Sequence, residues 1–154
     1  MVVMAEDYQR PGWFTQNVFN PAVRGLTKLG VSLQGSRVLE VRGRTSGQVR
    51  ETAVNLLTHH GATYLYAPRG VTEWVRNVRA ADGECATRLG RRRETWTATE
   101  VTDPTEYVGF VRAYLKAWEW EVGAFMPSGI SADSSDEELA GLGGGRPAFR
   151  LVPR

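Results

Sequence analysis

The chain has 154 residues and a single cysteine, Cys85, so we expect one domain, residues 1–154, whose core needs no disulfide and holds no thiolate metal cluster. It contains no apolar run of membrane-spanning length, which together with the lone cysteine predicts a cytoplasmic protein. The net charge of +2 hides 11 arginines against five acidic residues over 37–93, and ten acidic against two basic residues over 94–145. The acidic second half argues against nucleic acid as a partner.

The first predicted element is an amphipathic helical segment over residues 13–29. Asn20 and Pro21 are typical of a helix start, and Gly30 is typical of a helix stop. The apolar residues of this segment favour a helix packed on a sheet. Two other interpretations stay open, namely a lid over a ligand and a peripheral contact with a membrane surface.

Short strands follow, with turn residues between them. The predicted strands cover residues 38–42, 51–58, 63–67, 85–89, 94–102 and 148–152. A helix over residues 72–80 separates the third strand from the fourth. His59 and His60 lie in a turn, would point in opposite directions and have no third ligand nearby, so we predict no metal site. The three arginines of residues 91–93 are predicted to form a solvent-exposed hairpin tip.

Two further helices are predicted, over residues 104–122 and 135–141. Asp103 as the cap, proline at the next position and Glu106 at the third helical position indicate a capping box at the start of the longer helix. That helix carries apolar residues at three- and four-residue spacing, including Tyr107 and Tyr114, which predicts a buried face. Short antiparallel strands with inserted helices predict an α+β fold built on a barrel-like sheet.

Two segments carry residues suited to binding a ligand. Residues 43–50, with the sequence Gly-Arg-Thr-Ser-Gly-Gln-Val-Arg, offer two guanidinium groups, two hydroxyls and glycines that allow backbone N–H groups to approach an anion. An ordinary hairpin turn is the alternative interpretation. Trp74 and Asn77 lie on neighbouring turns of the short helix. For these two, the alternative is core packing of Trp74 and bracing of the helix by Asn77.

These two segments resemble the signature of the deazaflavin-dependent nitroreductase and quinone reductase family, and the resemblance covers approximately residues 38–101. It implies a split β-barrel, similar to FMN-binding barrels, that binds coenzyme F420, an 8-hydroxy-5-deazaflavin. The implied reaction transfers a hydride from the reduced cofactor to a small molecule, either a quinone, an activated alkene or a nitro compound. Barrels of this kind often form homodimers. Two alternatives stay open: FMN as the cofactor, and a barrel that binds a ligand without catalysis.

The resemblance also implies which residues bind the cofactor. Matched by position, they are Arg44, Thr45, Ser46, Gly47, Arg50, Ala67, Pro68, Arg69, Trp74 and Asn77. Thr45 stands where lysine is usual, which removes one cation, and the loop before Trp74 is shorter than in the better-known members. Tyr114 and Tyr107 are the candidates for a catalytic group that positions the substrate or donates a proton.

Overall fold

The computed structural model describes residues 36–122 and 125–154. Its strands are β1 (Ser36–Arg42), β2 (Val49–His59), β3 (Ala62–Tyr66), β4 (Glu84–Leu89), β5 (Arg92–Glu100) and β6 (Ala148–Pro153). Its helices are α1 (Glu73–Ala80), α2 (Pro104–Val122) and α3 (Asp136–Ala140). Each strand end lies within two residues of the predicted one. The segment 13–29 lies outside the described residues, so its interpretation as a packed helix, a lid or a membrane contact stays a prediction.

The six strands form one closed antiparallel barrel in the order β1-β2-β3-β6-β5-β4. The turn between β2 and β3 is a two-residue hairpin in which both His60 and Gly61 have positive φ, 50° and 80°. Positive φ at both central residues matches the natural twist of a hairpin. The predicted fold class, an α+β barrel of antiparallel strands with peripheral helices, is confirmed.

The strand register brings the turns to two opposite ends of the barrel. Arg42 pairs with Val49 at the last rung of the β1–β2 ladder, so the turn of residues 43–48 closes one end, which we call the hairpin end. Because β3 runs antiparallel to β2, residues 67–72 also return to the hairpin end and lead there into α1. Because β4 runs antiparallel to β1, the turn of residues 90–91 lies at the opposite end.

The barrel interior is filled by alternate residues of the strands. Leu65 points inward, whereas its neighbours Tyr64 and Tyr66 point outward. Helix α1 covers the hairpin end, and its Val75 and Val78 join the interior cluster at 0% and 1% exposure. Burying an aliphatic side chain of this size contributes roughly 1.5–3 kcal/mol. These contacts fix α1 against the barrel and therefore fix the residues on its outer side.

A second apolar cluster lies on the outer face of β3, where α2 packs. Tyr64 stacks on Phe110 of α2 with 4.6 Å between ring centroids.

Among the described residues, no helix combines the length and the apolar character needed to cross a bilayer.

The predicted capping box at the start of α2 is correct for the side chain of Asp103 and wrong for that of Glu106. Asp103 Oδ1 accepts a hydrogen bond from the backbone N–H of Thr105 at 3.0 Å. Glu106, however, accepts hydrogen bonds from the Tyr64 hydroxyl and the Arg150 guanidinium. A charged partner competes successfully with a backbone N–H that water can reach.

The predicted solvent-exposed tip at residues 91–93 is confirmed, since all three arginines are exposed, but Arg93 is in addition paired with a buried carboxylate. Arg93 Nε donates to Glu40 Oε1 at 2.9 Å, and Arg88 binds the other oxygen of the same carboxylate at 3.0 Å. The Glu40 side chain is only 10% exposed. A buried carboxylate needs such cationic partners.

Candidate functional site

The turn of residues 43–48 is a tight hairpin held by its own backbone. Gly43 N–H donates to the carbonyl of Gln48 at 2.7 Å, and Gly47 N–H donates to the carbonyl of Gly43 at 2.9 Å. Gly47 has φ 75°, a conformation that glycine adopts without steric penalty. Ser46 Oγ accepts the backbone N–H of Gln48 at 3.1 Å. The predicted turn is therefore present.

Gly43 allows two polar side chains to lie against the backbone of this turn. A Cβ at position 43 would lie 3.0 Å from Ser46 Oγ and 3.4 Å from Arg50 Nε. A larger residue at this position would therefore crowd Ser46 Oγ and come into contact with Arg50 Nε. The structure thus brings the hydroxyl of Ser46 and the guanidinium of Arg50 together over Gly43.

The hairpin is joined to α1 through Arg44. The backbone N–H of Arg44 donates to Asn77 Oδ1 at 3.1 Å, and Arg44 Nη1 donates to the same oxygen at 2.8 Å. Arg44 Nη1 also donates to Glu73 Oε1 at 2.9 Å. The two segments singled out in the sequence therefore meet in one place.

The polar side chains at this junction differ in solvent exposure. Glu73 is 73% exposed and the Arg44 side chain 34% exposed, whereas Asn77 is 5% exposed. The hydrogen bond from Arg44 lowers the pKa of Glu73, and Arg76 contributes in the same direction. Arg50 is exposed and has no hydrogen-bond or ion-pair partner within residues 36–122 and 125–154, so its donors are available to a ligand.

Glu73 was not among the residues predicted for the site. Its spacing of four residues from Asn77 places both side chains on one face of a helix, which was the available signal. The acidic residue could have been identified as a partner for a cation on that face.

The segment after β3 is fixed by the chain that leads into β6. The N–H of Ala67 donates to the carbonyl of Pro147 at 3.0 Å, and Arg146 Nε donates to the carbonyl of Pro68 at 3.0 Å. Arg146 is 3% exposed, and no sequence pattern indicated it. Arg69 lies with its guanidinium carbon 5.1 Å above the ring centroid of Phe125, a cation–π geometry.

The start of α1 carries a hydroxyl without a partner. Thr72 is the N-cap residue but makes no side-chain cap hydrogen bond, and its Oγ1 is buried with no hydrogen-bond partner within the described part of the chain. Trp74, half-buried, packs against Phe149 with 5.8 Å between ring centroids. Both residues lie at the hairpin end.

Tyr107 and Tyr114 belong to the outer cluster, not to the junction of the hairpin and α1. The Tyr107 hydroxyl donates to the carbonyl of Arg146 at 2.7 Å and lies 3.1 Å from the Tyr66 hydroxyl. Burial raises the pKa of Tyr107. Tyr114 is 3% exposed, and its ring centroid lies 5.0 Å from that of Tyr66. Their catalytic roles stay predictions.

The donor set at the hairpin end fits an anionic group. Arg50 is available, Arg44 is partly exposed, and the Ser46 hydroxyl and the Arg50 guanidinium lie side by side against Gly43. Guanidinium groups beside a glycine-containing turn are well suited to phosphate or carboxylate. Among the described residues, no group of three or more His, Cys, Asp or Glu residues could hold a metal ion.

A comparison with known protein families gives one match. The family model of F420H2-dependent quinone reductases matches residues 15–120. The chain belongs to this family. The matched range includes the hairpin, the segment after β3 and all of α1. A search of curated proteins finds no significant match.

Solved structures share the fold at low sequence identity. A chain described as a domain-swapped dimer is 16% identical, with a TM-score of 0.55 over 91% of this chain and 97% of its own. The F420-H2-dependent reductase FDR-A is 16% identical, with a TM-score of 0.50 over 80% and 100%. HutZ, a heme storage protein from Vibrio cholerae, is 12% identical, with a TM-score of 0.51 over 79% and 82%. At these identities the similarity concerns the fold alone.

Proposed function

We propose that this protein is an oxidoreductase that transfers a hydride from reduced coenzyme F420 to a small electrophilic acceptor, either a quinone, an activated alkene or a nitro compound. The observation that carries the proposal is the junction of the hairpin with α1 at Arg44, within the residues matched by the family model. Reduced F420, when bound, supplies the hydride, and the acceptor must gain a proton as well.

The residues proposed to hold the acidic end of the cofactor are those of the hairpin end. Arg50 and the exposed part of Arg44 would bind the phosphate, and the Ser46 hydroxyl and Gly47 would line the same turn. Thr45, Ala67, Pro68 and Arg69 are carried over as further contacts. Charge-assisted hydrogen bonds of this kind are roughly twice as strong as neutral ones. Binding of the phosphate end would therefore fix the position of the whole cofactor.

Trp74 is proposed as the wall against which the deazaflavin ring lies. It packs on Phe149 while remaining partly exposed, so part of its indole remains for contact with a planar ligand. Asn77 is buried beneath the hairpin. The contribution of the protein to the reaction would be mainly orientation of the ring towards the acceptor.

Tyr107 and Tyr114 remain the proposed candidates for positioning the acceptor or delivering the proton, with water as the alternative. Burial raises the pKa of Tyr107, which keeps the phenol protonated at neutral pH. To act on a substrate, its hydroxyl would have to leave the carbonyl of Arg146. Homodimer formation is proposed as well, supported by the neighbour described as a domain-swapped dimer.

The test is a fluorescence titration of the protein with oxidised F420 and, separately, with FMN. We expect F420 to bind, and Arg50→Ala to weaken binding at least about tenfold, because a charge-assisted hydrogen bond is lost. Arg91→Ala is the matched control, since it removes an exposed arginine at the opposite barrel end. Binding of FMN alone would mean that FMN, and not F420, is the cofactor. Binding of neither would favour a barrel that binds another ligand without catalysis.

A further inference from the structure

Arg44 is held through one of its three guanidinium nitrogens. Its Nη1 donates both to Glu73 Oε1 at 2.9 Å and to Asn77 Oδ1 at 2.8 Å. A terminal guanidinium nitrogen carries two hydrogens, so these two bonds use Nη1 fully. Within the described residues, Nε and Nη2 of Arg44 have no hydrogen-bond partner. The Nε–Nη2 edge is one that can bind a carboxylate or phosphate in bidentate fashion.

We propose that Asn77 is a positioning residue that holds Arg44 so that its Nε–Nη2 edge serves the anionic group of the ligand. The inference rests on the proposed function, because it assumes that the hairpin end binds an anion. Asn77 itself would not contact that anion. Its carboxamide oxygen accepts hydrogen bonds from both the backbone N–H and the guanidinium of Arg44. One atom of Asn77 therefore holds both the main chain and the side chain of Arg44.

Asn77, and not Glu73, is the residue that can impose this orientation. Asn77 is 5% exposed, and it lies between Val75 and Val78, which are 0% and 1% exposed in the barrel core. Its position is therefore set by the fold. Glu73 is 73% exposed, and an ion pair as exposed as this contributes little to fixing a side chain.

The expected benefit of this arrangement is entropic. A free arginine side chain loses rotamer freedom when it binds a ligand, and this loss weakens binding. Because Asn77 already restricts Arg44, less freedom is lost when the anion arrives. Removing the Asn77 oxygen should therefore weaken anion binding although no ligand contact is removed.

The test is a double-mutant cycle in which NMR titration measures the affinity of each variant for inorganic pyrophosphate. Asn77→Ala in the otherwise unchanged protein is expected to weaken pyrophosphate binding about three- to tenfold. In an Arg44→Ala background, which keeps the backbone hydrogen bond to Asn77 but removes the guanidinium that Asn77 holds, the same substitution should change the affinity by less than about twofold. In an Arg50→Lys background the full loss should reappear. Arg79→Ala, which removes a cation of α1 paired with Glu100, is the control for charge alone.

A purely structural role for Asn77 gives a different pattern. If Asn77→Ala weakens binding equally in the Arg44→Ala and Arg50→Lys backgrounds, Asn77 does not act through Arg44 and the proposal is overturned. Absence of pyrophosphate binding by the unchanged protein overturns it too. F420 is titrated separately: if the cycle holds while F420 fails to bind, Asn77 keeps this role and only the cofactor assignment falls.

Folding is checked by thermal melting of every variant. If Asn77→Ala does not fold, Asn77→Ser takes its place in the cycle. Serine keeps a polar group in the buried position but is one bond too short to reach both donors of Arg44, so the same coupling pattern is expected.

Discussion

Glu106 connects three elements through one carboxylate. Its Oε2 accepts from the Tyr64 hydroxyl at 2.8 Å and from Arg150 Nε at 2.9 Å, and its Oε1 accepts from Arg150 Nη2 at 2.8 Å. The bidentate bond from Arg150 is the main reason that the pKa of Glu106 is lowered. This carboxylate therefore ties α2 to β3 and β6 most strongly while it is ionised.

We expect the stability contributed by Glu106 to be lost in acid. Since its pKa is lower in the folded state than in the unfolded state, the contribution is complete above about pH 5 and is lost as the pH falls through the folded pKa. Glu106→Gln should reduce the free energy of unfolding at pH 7 by about 1 kcal/mol. The variant should also lose less stability than the unchanged protein between about pH 5 and pH 3.

Urea unfolding at several pH values measures both effects. Glu137→Gln is the control, because it removes an exposed carboxylate from the first turn of α3. Parallel pH profiles for the unchanged protein and Glu106→Gln would contradict the prediction.

At the scale of the elements, the turn between α1 and β4 depends on Gly83. Its φ is 86°, its N–H donates to the carbonyl of Val78 at 2.9 Å, and its carbonyl accepts from Ala98 N–H at 2.8 Å. A Cβ at this position would lie 2.4 Å from the carbonyl oxygen of Ala98. The turn that ends α1 therefore lies directly against the backbone of β5.

Gly83→Ala is expected to destabilise the protein more than a comparable glycine substitution. A positive φ costs an alanine roughly 1–2 kcal/mol, and at Gly83 the backbone clash adds to that figure, so we expect about 3 kcal/mol or more. Gly61→Ala is the matched control, since Gly61 has φ 80° with no atom within 4 Å of the added Cβ. Equal losses for the two variants in urea unfolding would mean that the clash is relieved by a small backbone shift.

The elements were predictable from local patterns, while their junctions were not. Alternation and β-branched residues define strands, and paired turn residues define hairpins, so the barrel followed from the sequence. The Arg44–Glu73 contact joins residues 29 positions apart, and although the spacing of Glu73 and Asn77 indicates a shared helix face, nothing local identifies Arg44 as the partner. The capping box at Glu106 failed for the same reason, because Arg150 becomes a neighbour only in the folded barrel.

At the scale of the whole molecule, folding pairs several arginines of residues 37–93 with acidic side chains. Arg79 pairs with Glu100, and Arg88 and Arg93 pair with Glu40. Arg50 is left exposed. Exposed arginines remain at both ends of the barrel, with Arg91 and Arg92 at the end opposite to the hairpin.

Binding of F420 is expected to stabilise the folded protein as a whole. A ligand that binds only the folded state adds about 2.7 kcal/mol at a concentration of 100 times its Kd, which for a chain of this length raises Tm by roughly 5–10 °C. Differential scanning calorimetry with F420 and with FMN measures the shift. Arg91→Ala should show the full shift and Arg50→Ala a smaller one at the same F420 concentration. An undiminished shift in Arg50→Ala would move the anion site away from the hairpin end, and an equal shift with FMN would leave the barrel without selectivity for the deazaflavin.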